Sequence, residues 1–180
     1  MKRCLAAAAL LCLHPQLAAH PHAWVDQQAI ISLDRGSAVI EYRVVPSFKD
    51  GTHMFDHLDA NHDGLMSNDE KRAYAAALLR STRMIVDGTS VPLRSLGVSM
   101  PLRSAMSNGS GLMAVKAHAG LRLMPTRKHK VAVNIDYALF KKGWFIQPFY
   151  GSGLTRRGSL PTLHRSSSSS TIRITVPKAS

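Results

Sequence analysis

Apolar and polar residues exchange places along this chain at two periods. Alternation at period two runs through Ala29, Ile31 and Leu33, pauses at Asp34-Arg35-Gly36-Ser37, and resumes in Ile40, Tyr42 and Val44 opposite Glu41 and Arg43. Successive strand side chains point to opposite faces, so the stretch from Trp24 onward predicts an opening β-hairpin. Residues Phe48 to Leu58 and Asp69 to Arg80 predict helices, the second rich in the strong helix formers Ala and Leu. Met84-Ile85-Val86, the turn pair Asp87-Gly88, and Val91-Pro92-Leu93 predict a further short hairpin. Strands return over Met113 to Met124, Val131 to Tyr137 and Trp144 to Phe149. The expected class is α+β: an antiparallel β-sheet built of hairpins, with its helices grouped in one inserted helix-loop-helix.

Beyond Tyr150 the pattern loosens. Gly151-Ser152-Gly153, Arg156-Arg157-Gly158 and the serine run Ser166 to Ser170 predict a mobile, basic, serine-rich tail over residues 151–180. Within it Ile172, Ile174 and Val176 alternate, so 171–176 either docks as a last strand or hangs free. No tandem repeat is present.

The opening residues belong to a different logic. Lys2 and Arg3 precede an apolar run from Cys4 to Leu13, followed by His14-Pro15-Gln16-Leu17 and the small pair Ala18-Ala19. This is the pattern of a secretory signal peptide over residues 1–19, cleaved after Ala19, and its apolar run is too short to anchor in a bilayer. Both cysteines lie in that leader, which excludes disulfides, thiolate nucleophiles and cysteine metal ligands from the mature chain. The mature product is expected to be periplasmic or secreted, with one α+β domain over 20–150.

Composition sharpens this picture in one respect. The 180 residues carry 23 Lys and Arg against 11 Asp and Glu, and the imbalance is entirely C-terminal. Residues 101–180 hold 13 basic side chains and one acid, Asp136. In a cytosolic chain this would suggest nucleic acid, but the leader argues against such a partner. Arg127-Lys128-His129-Lys130, Lys141-Lys142 and Arg156-Arg157 are instead candidates to face an anionic envelope surface, with a merely solvated face the plainer reading.

The strongest chemical motif is local. Asp59-Ala60-Asn61-His62-Asp63-Gly64-Leu65-Met66-Ser67-Asn68-Asp69-Glu70 fits the EF-hand calcium loop without a gap. Calcium takes six to eight hard oxygen ligands, which Asp59, Asn61 and Asp63 begin to supply as the chain wraps round the ion. Gly64 permits the sharp turn, the Leu65 carbonyl and Ser67 follow, and Glu70 closes the sphere with both oxygens. Met54, Phe55 and Leu58 share a face of the leading helix, as Tyr74, Ala75 and Leu78 do on the following one. Sensor EF-hands usually come in pairs, and a single loop favours a structural or modest-affinity role. The competing reading is a metal-free spacer in which these Asp and Asn residues only form turns and caps.

Cleavage after Ala19 would expose His20-Pro21-His22, an α-amine and two imidazoles within three residues. Such a terminus suits zinc, nickel or copper, although Pro21 lacks the amide proton that the square-planar copper mode needs. His53 and His57, four apart on the leading helix, are a weaker candidate pair. His62 falls at a non-liganding loop position, and His118, His129 and His164 have no partners that the sequence identifies.

With the His20-to-Asp26 segment, the loop from Asp59 to Glu70 and the Ile85-Val86-Asp87-Gly88 hairpin in place, the chain resembles a bacterial family of exported proteins. That family is described as the periplasmic component of an uncharacterised ABC-type transport system. The resemblance covers roughly residues 1–150 and implies a periplasmic protein tied to uptake of a metal ion such as zinc or nickel. It also implies an inner-membrane transporter as partner. The acidic, helical C-terminal part expected of the family is replaced here by the basic tail.

Together these features predict a non-enzymatic, exported metal-binding protein, with calcium in the loop, a transition metal at His20 and His22, and a role in metal-ion transport. Two rivals follow from the same residues. One is a structural or envelope-interaction module whose calcium only stabilises the fold. The other is a copper-dependent oxidative enzyme using the N-terminal histidine.

Overall fold

The computed structural model describes residues 25–137, 143–155, 160–167 and 170–179. The leader, Trp24 and the candidate ligands His20 and His22 lie outside the described residues. The first hairpin is β1 (Asp26–Leu33) and β2 (Ser37–Val45), followed by the helices α1 (Gly51–Leu58) and α2 (Asn68–Arg80). A second hairpin, β3 (Thr82–Val86) and β4 (Thr89–Val91), leads to β5 (Arg94–Ser99), the short α3 (Arg103–Ser107) and β6 (Met113–Gly120). The chain then runs through β7 (His129–Ile135), β8 (Phe145–Tyr150), α4 (Ser152–Thr155), β9 (Thr162–Arg165) and β10 (Thr171–Val176).

The class is α+β, but the strands form two five-stranded sheets rather than one, in the orders β5-β6-β2-β1-β8 and β4-β3-β7-β10-β9. Among the described residues every strand pair is antiparallel except β1 with β8, which run parallel from Gln28 opposite Phe145 to Leu33 opposite Tyr150. The sheets enclose one apolar cluster that takes Ile31, Ile40 and Val115 from the first and Met84, Val133 and Ile174 from the second. Tyr42 is buried between them, its ring edge-on to Trp144 at 5.7 Å. Its hydroxyl donates to Thr82 Oγ1 at 3.0 Å, and Thr82 in turn donates to the Leu78 carbonyl at 2.9 Å. Burial raises the Tyr42 phenol to about 12, the Thr82 bond opposing this, so the link persists at any ordinary pH.

Of the two expectations for 171–176, docking is what is found. β10 lies between β7 and β9 in the interior of its sheet, because Ile172, Ile174 and Val176 all face the core. The helices are not confined to one insertion, since α3 and α4 are separate single turns. Helix α1 begins at Gly51 rather than Phe48, because the buried Ser47 and the exposed Asp50 close a turn ahead of it through Asp50 N–H to Ser47 Oγ at 3.1 Å. Gly51 is required there. A Cβ at that position would lie 1.8 Å from the Met106 carbonyl oxygen of α3. Among the described residues no helix is long and apolar enough to cross a membrane.

Candidate metal loop and a buried charge cluster

Helices α1 and α2 flank residues 59–67, and both are pinned by their apolar faces. Met54 and Phe55 of α1 and Tyr74, Ala75 and Leu78 of α2 are buried, while Leu58 is half-buried. Ser67 caps α2 reciprocally. Its hydroxyl accepts from the Glu70 N–H at 3.2 Å, while Glu70 Oε2 accepts from the Ser67 N–H at 2.8 Å and the Ser67 hydroxyl at 2.7 Å. The other Glu70 oxygen accepts from the N–H groups of Ala60 at 2.7 Å and Asn61 at 3.3 Å. These donors hold the Glu70 carboxyl below the ordinary carboxylate range, the Ser67 hydroxyl contributing most.

The rest of the loop is organised by its own carboxylates. Asp59 Oδ2 accepts from the Gly64 N–H at 2.9 Å, Asn61 Oδ1 from the Asp63 N–H at 3.1 Å, and Asp63 Oδ1 from the Leu65 N–H at 2.8 Å. His62 and Gly64 take left-handed backbone angles, with φ of 59° and 79°, which is the tight wrap that Gly64 was expected to permit. One atom is left over. Asp59 is 3% exposed, and its Oδ1 is buried without a hydrogen-bond partner. Among the described residues, none of Asp59, Asp63 and Glu70 has a cationic partner. Burying an unpaired carboxylate oxygen carries a free-energy cost that a cation would relieve.

The donors on offer are Asp59, Asn61, Asp63, Ser67 and Glu70 side chains and the Leu65 carbonyl. All are hard oxygens, the set that suits calcium better than a transition metal. Among the described residues no three His, Cys, Asp or Glu side chains gather as a ready-made cage. Glu70 is engaged by amides.

His53 and His57 are both exposed on α1. The acids near them face elsewhere: Asp50 accepts from the Ser47 hydroxyl, and Asp56 pairs with Arg103 of α3 at 2.7 Å.

Sequence reasoning missed a second cluster at the opposite charge balance. His129 is fully buried at the start of β7, with Nδ1 2.7 Å from Asp87 Oδ2 and Nε2 3.1 Å from the Met124 carbonyl. Asp87 sits in the two-residue turn between β3 and β4, where it and Gly88 have φ of 50° and 88°. Its other oxygen accepts from the Lys130 N–H at 2.8 Å, and Arg127 approaches to 3.3 Å. The Lys130 amide is the main cause holding the Asp87 carboxyl below its ordinary range, helped by His129 and Arg127 against the opposing effect of burial. A signal was present. His129 is in phase with Val131, Val133 and Ile135, which marks a polar residue on the buried face of a strand.

No protein-family model matches this chain, and no curated protein matches it as a relative.

Proposed function

We propose that this chain is an exported, non-enzymatic metal-binding protein that holds calcium in the loop from Asp59 to Glu70. In this reading it serves as an accessory or binding component of metal-ion transport, alongside an inner-membrane transporter. The observation that carries the calcium assignment is the buried, unpartnered Asp59 Oδ1 in a loop whose three candidate ligand acids, Asp59, Asp63 and Glu70, have no cationic partner among the described residues, while the non-liganding Asp69 pairs with Arg72. Asp59, Asn61, Asp63, Ser67, Glu70 and the Leu65 carbonyl would hold the ion, which supplies charge neutralisation and a tie between α1 and α2. The export signal at residues 1–19 and a zinc, nickel or copper site at His20 and His22 belong to the same proposal.

A second reading has a specific observation behind it. Glu70 is satisfied within the loop by Ala60, Asn61 and Ser67, and α2 is bonded to the sheets through Leu78, Thr82 and Tyr42. That arrangement favours a structural module in which calcium is a staple, with the basic half free to meet an anionic envelope surface.

Calorimetric titration of the mature chain, verified by mass to begin at His20, with calcium, zinc, nickel and copper separates the two. Metal handling predicts calcium binding lost in Glu70→Gln and transition-metal binding lost in His20→Ala/His22→Ala. Calcium binding alone supports the module, and no binding of any ion refutes both assignments.

A further inference from the structure

Where the β3–β4 turn of one sheet approaches the end of β6 in the other, an open cleft of about 480 Å³ is lined by Val86, Val91, Leu121, Thr89, Arg122 and Arg127. Its walls are tied down. The N–H groups of Leu121 and Leu123 each donate at 2.9 Å to carbonyls of the β1–β2 turn, which fixes the backbone either side of Arg122. Opposite, Asp87 and Lys130 exchange backbone and side-chain hydrogen bonds, holding the β3–β4 turn to the start of β7.

Charge in this cleft is unbalanced. Asp87, the one acid among the described residues that line it, already receives the Lys130 N–H, the His129 ring and Arg127. The buried His129 ring is held between Asp87 and the Met124 carbonyl, so Asp87 is engaged from behind the cleft as well as from within it. Arg127 shares its only acid with this ring, and Arg122 has no ion pair or hydrogen bond among the described residues.

The lining also specifies a ligand class. A guanidinium is a planar fork matched to the oxygens of an oxyanion, and two of them flank this space. Val86, Val91 and Leu121 offer a wall that a bare inorganic ion would leave unused, whereas a hydrocarbon body would cover it. A flat anionic surface is less well served. Such a surface would meet Lys128, Lys130 and the exposed part of Arg127, but it would leave the apolar wall uncovered. We infer that this cleft binds a small organic carboxylate, its acid group held by Arg122 and Arg127 and its apolar body against Val86, Val91 and Leu121. The inference stands apart from the calcium reading.

The test is an amide-shift titration of the isotope-labelled full mature chain with 3-phenylpropionate, acetate and vesicles containing anionic lipid. The expected result is shifts confined to residues 86–91 and 120–127, with 3-phenylpropionate about ten-fold tighter than acetate. Arg122→Gln should weaken it by about ten-fold, the worth of one charge-assisted hydrogen bond, without changing the melting temperature. Arg127→Gln, read the same way, guards against an effect peculiar to position 122. Absence of localised shifts at millimolar ligand, equal binding of acetate, or unchanged affinity in both variants overturns the inference. So does binding to vesicles while the cleft amides stay still, which would make the partner a surface.

Discussion

Asp59 and Asp87 are both carboxylates at tight turns, yet they stand in opposite surroundings. Among the described residues Asp59 has no cationic partner and keeps one buried oxygen unpartnered, whereas Asp87 is oversubscribed by a ring nitrogen, a guanidinium and a backbone amide. A fold rarely leaves buried polar atoms unpaired without cause, so each imbalance points to something outside the chain. The two proposals assign a cation to the acidic loop and an anion to the basic cleft. Under the two proposals, one binding chemistry is written into twelve consecutive residues and the other is assembled from both sheets.

The sharpest way to break this contrast is at His129. Replacing it with Ala removes a fully buried ring and strands part of the Asp87 charge, and should cost about 2–4 kcal/mol in denaturant-induced unfolding. A cost below about 0.5 kcal/mol would show that the cluster is ornamental to the fold. Acidification should act on both carboxylates more gradually. Glu70 and Asp87 are held below their ordinary ranges when folded, so folding favours their charged forms. Their contribution is complete above the ordinary carboxylate value near about 4 and is lost as pH falls through the lowered folded values. Thermal melts should therefore fall on acidification in the native chain, and less steeply in Glu70→Gln.

Smaller effects sharpen the comparison further. Ser67→Ala removes a cap hydroxyl and one of the donors to Glu70, and should cost about 1 kcal/mol by chemical denaturation. It should also weaken calcium binding, since Ser67 is a proposed ligand. Arg122→Gln is the gentlest: with no partner to lose among the described residues, stability should stay within about 0.5 kcal/mol while carboxylate binding drops.

What was readable in advance follows the same division. The strands β1, β2, β7 and β10 alternate strictly between core and solvent, so period two reported them, and the candidate metal loop is a local spacing pattern. Strand β5 escaped because a register shift between Ser95 and Gly97 breaks its alternation and all but Val98 is exposed. The division into two sheets was hidden for another reason. The parallel pairing of β1 with β8 joins segments more than a hundred residues apart, and no local pattern encodes such a partner. His129 and Asp87 are likewise 42 residues apart. The Asp-Gly turn was visible, but the ring that Asp87 meets there depends on the register of β3 against β7.

The most direct test of the central claim is a calcium titration followed through the amide resonances of the mature chain. The account predicts shifts concentrated in residues 59–70, with the Gly64 amide prominent because its acceptor is Asp59, no movement at 86–91 or 120–127, and loss of the response in Asp59→Asn. Calcium that moves no amide in the loop, or that moves it equally in Asp59→Asn, would contradict it.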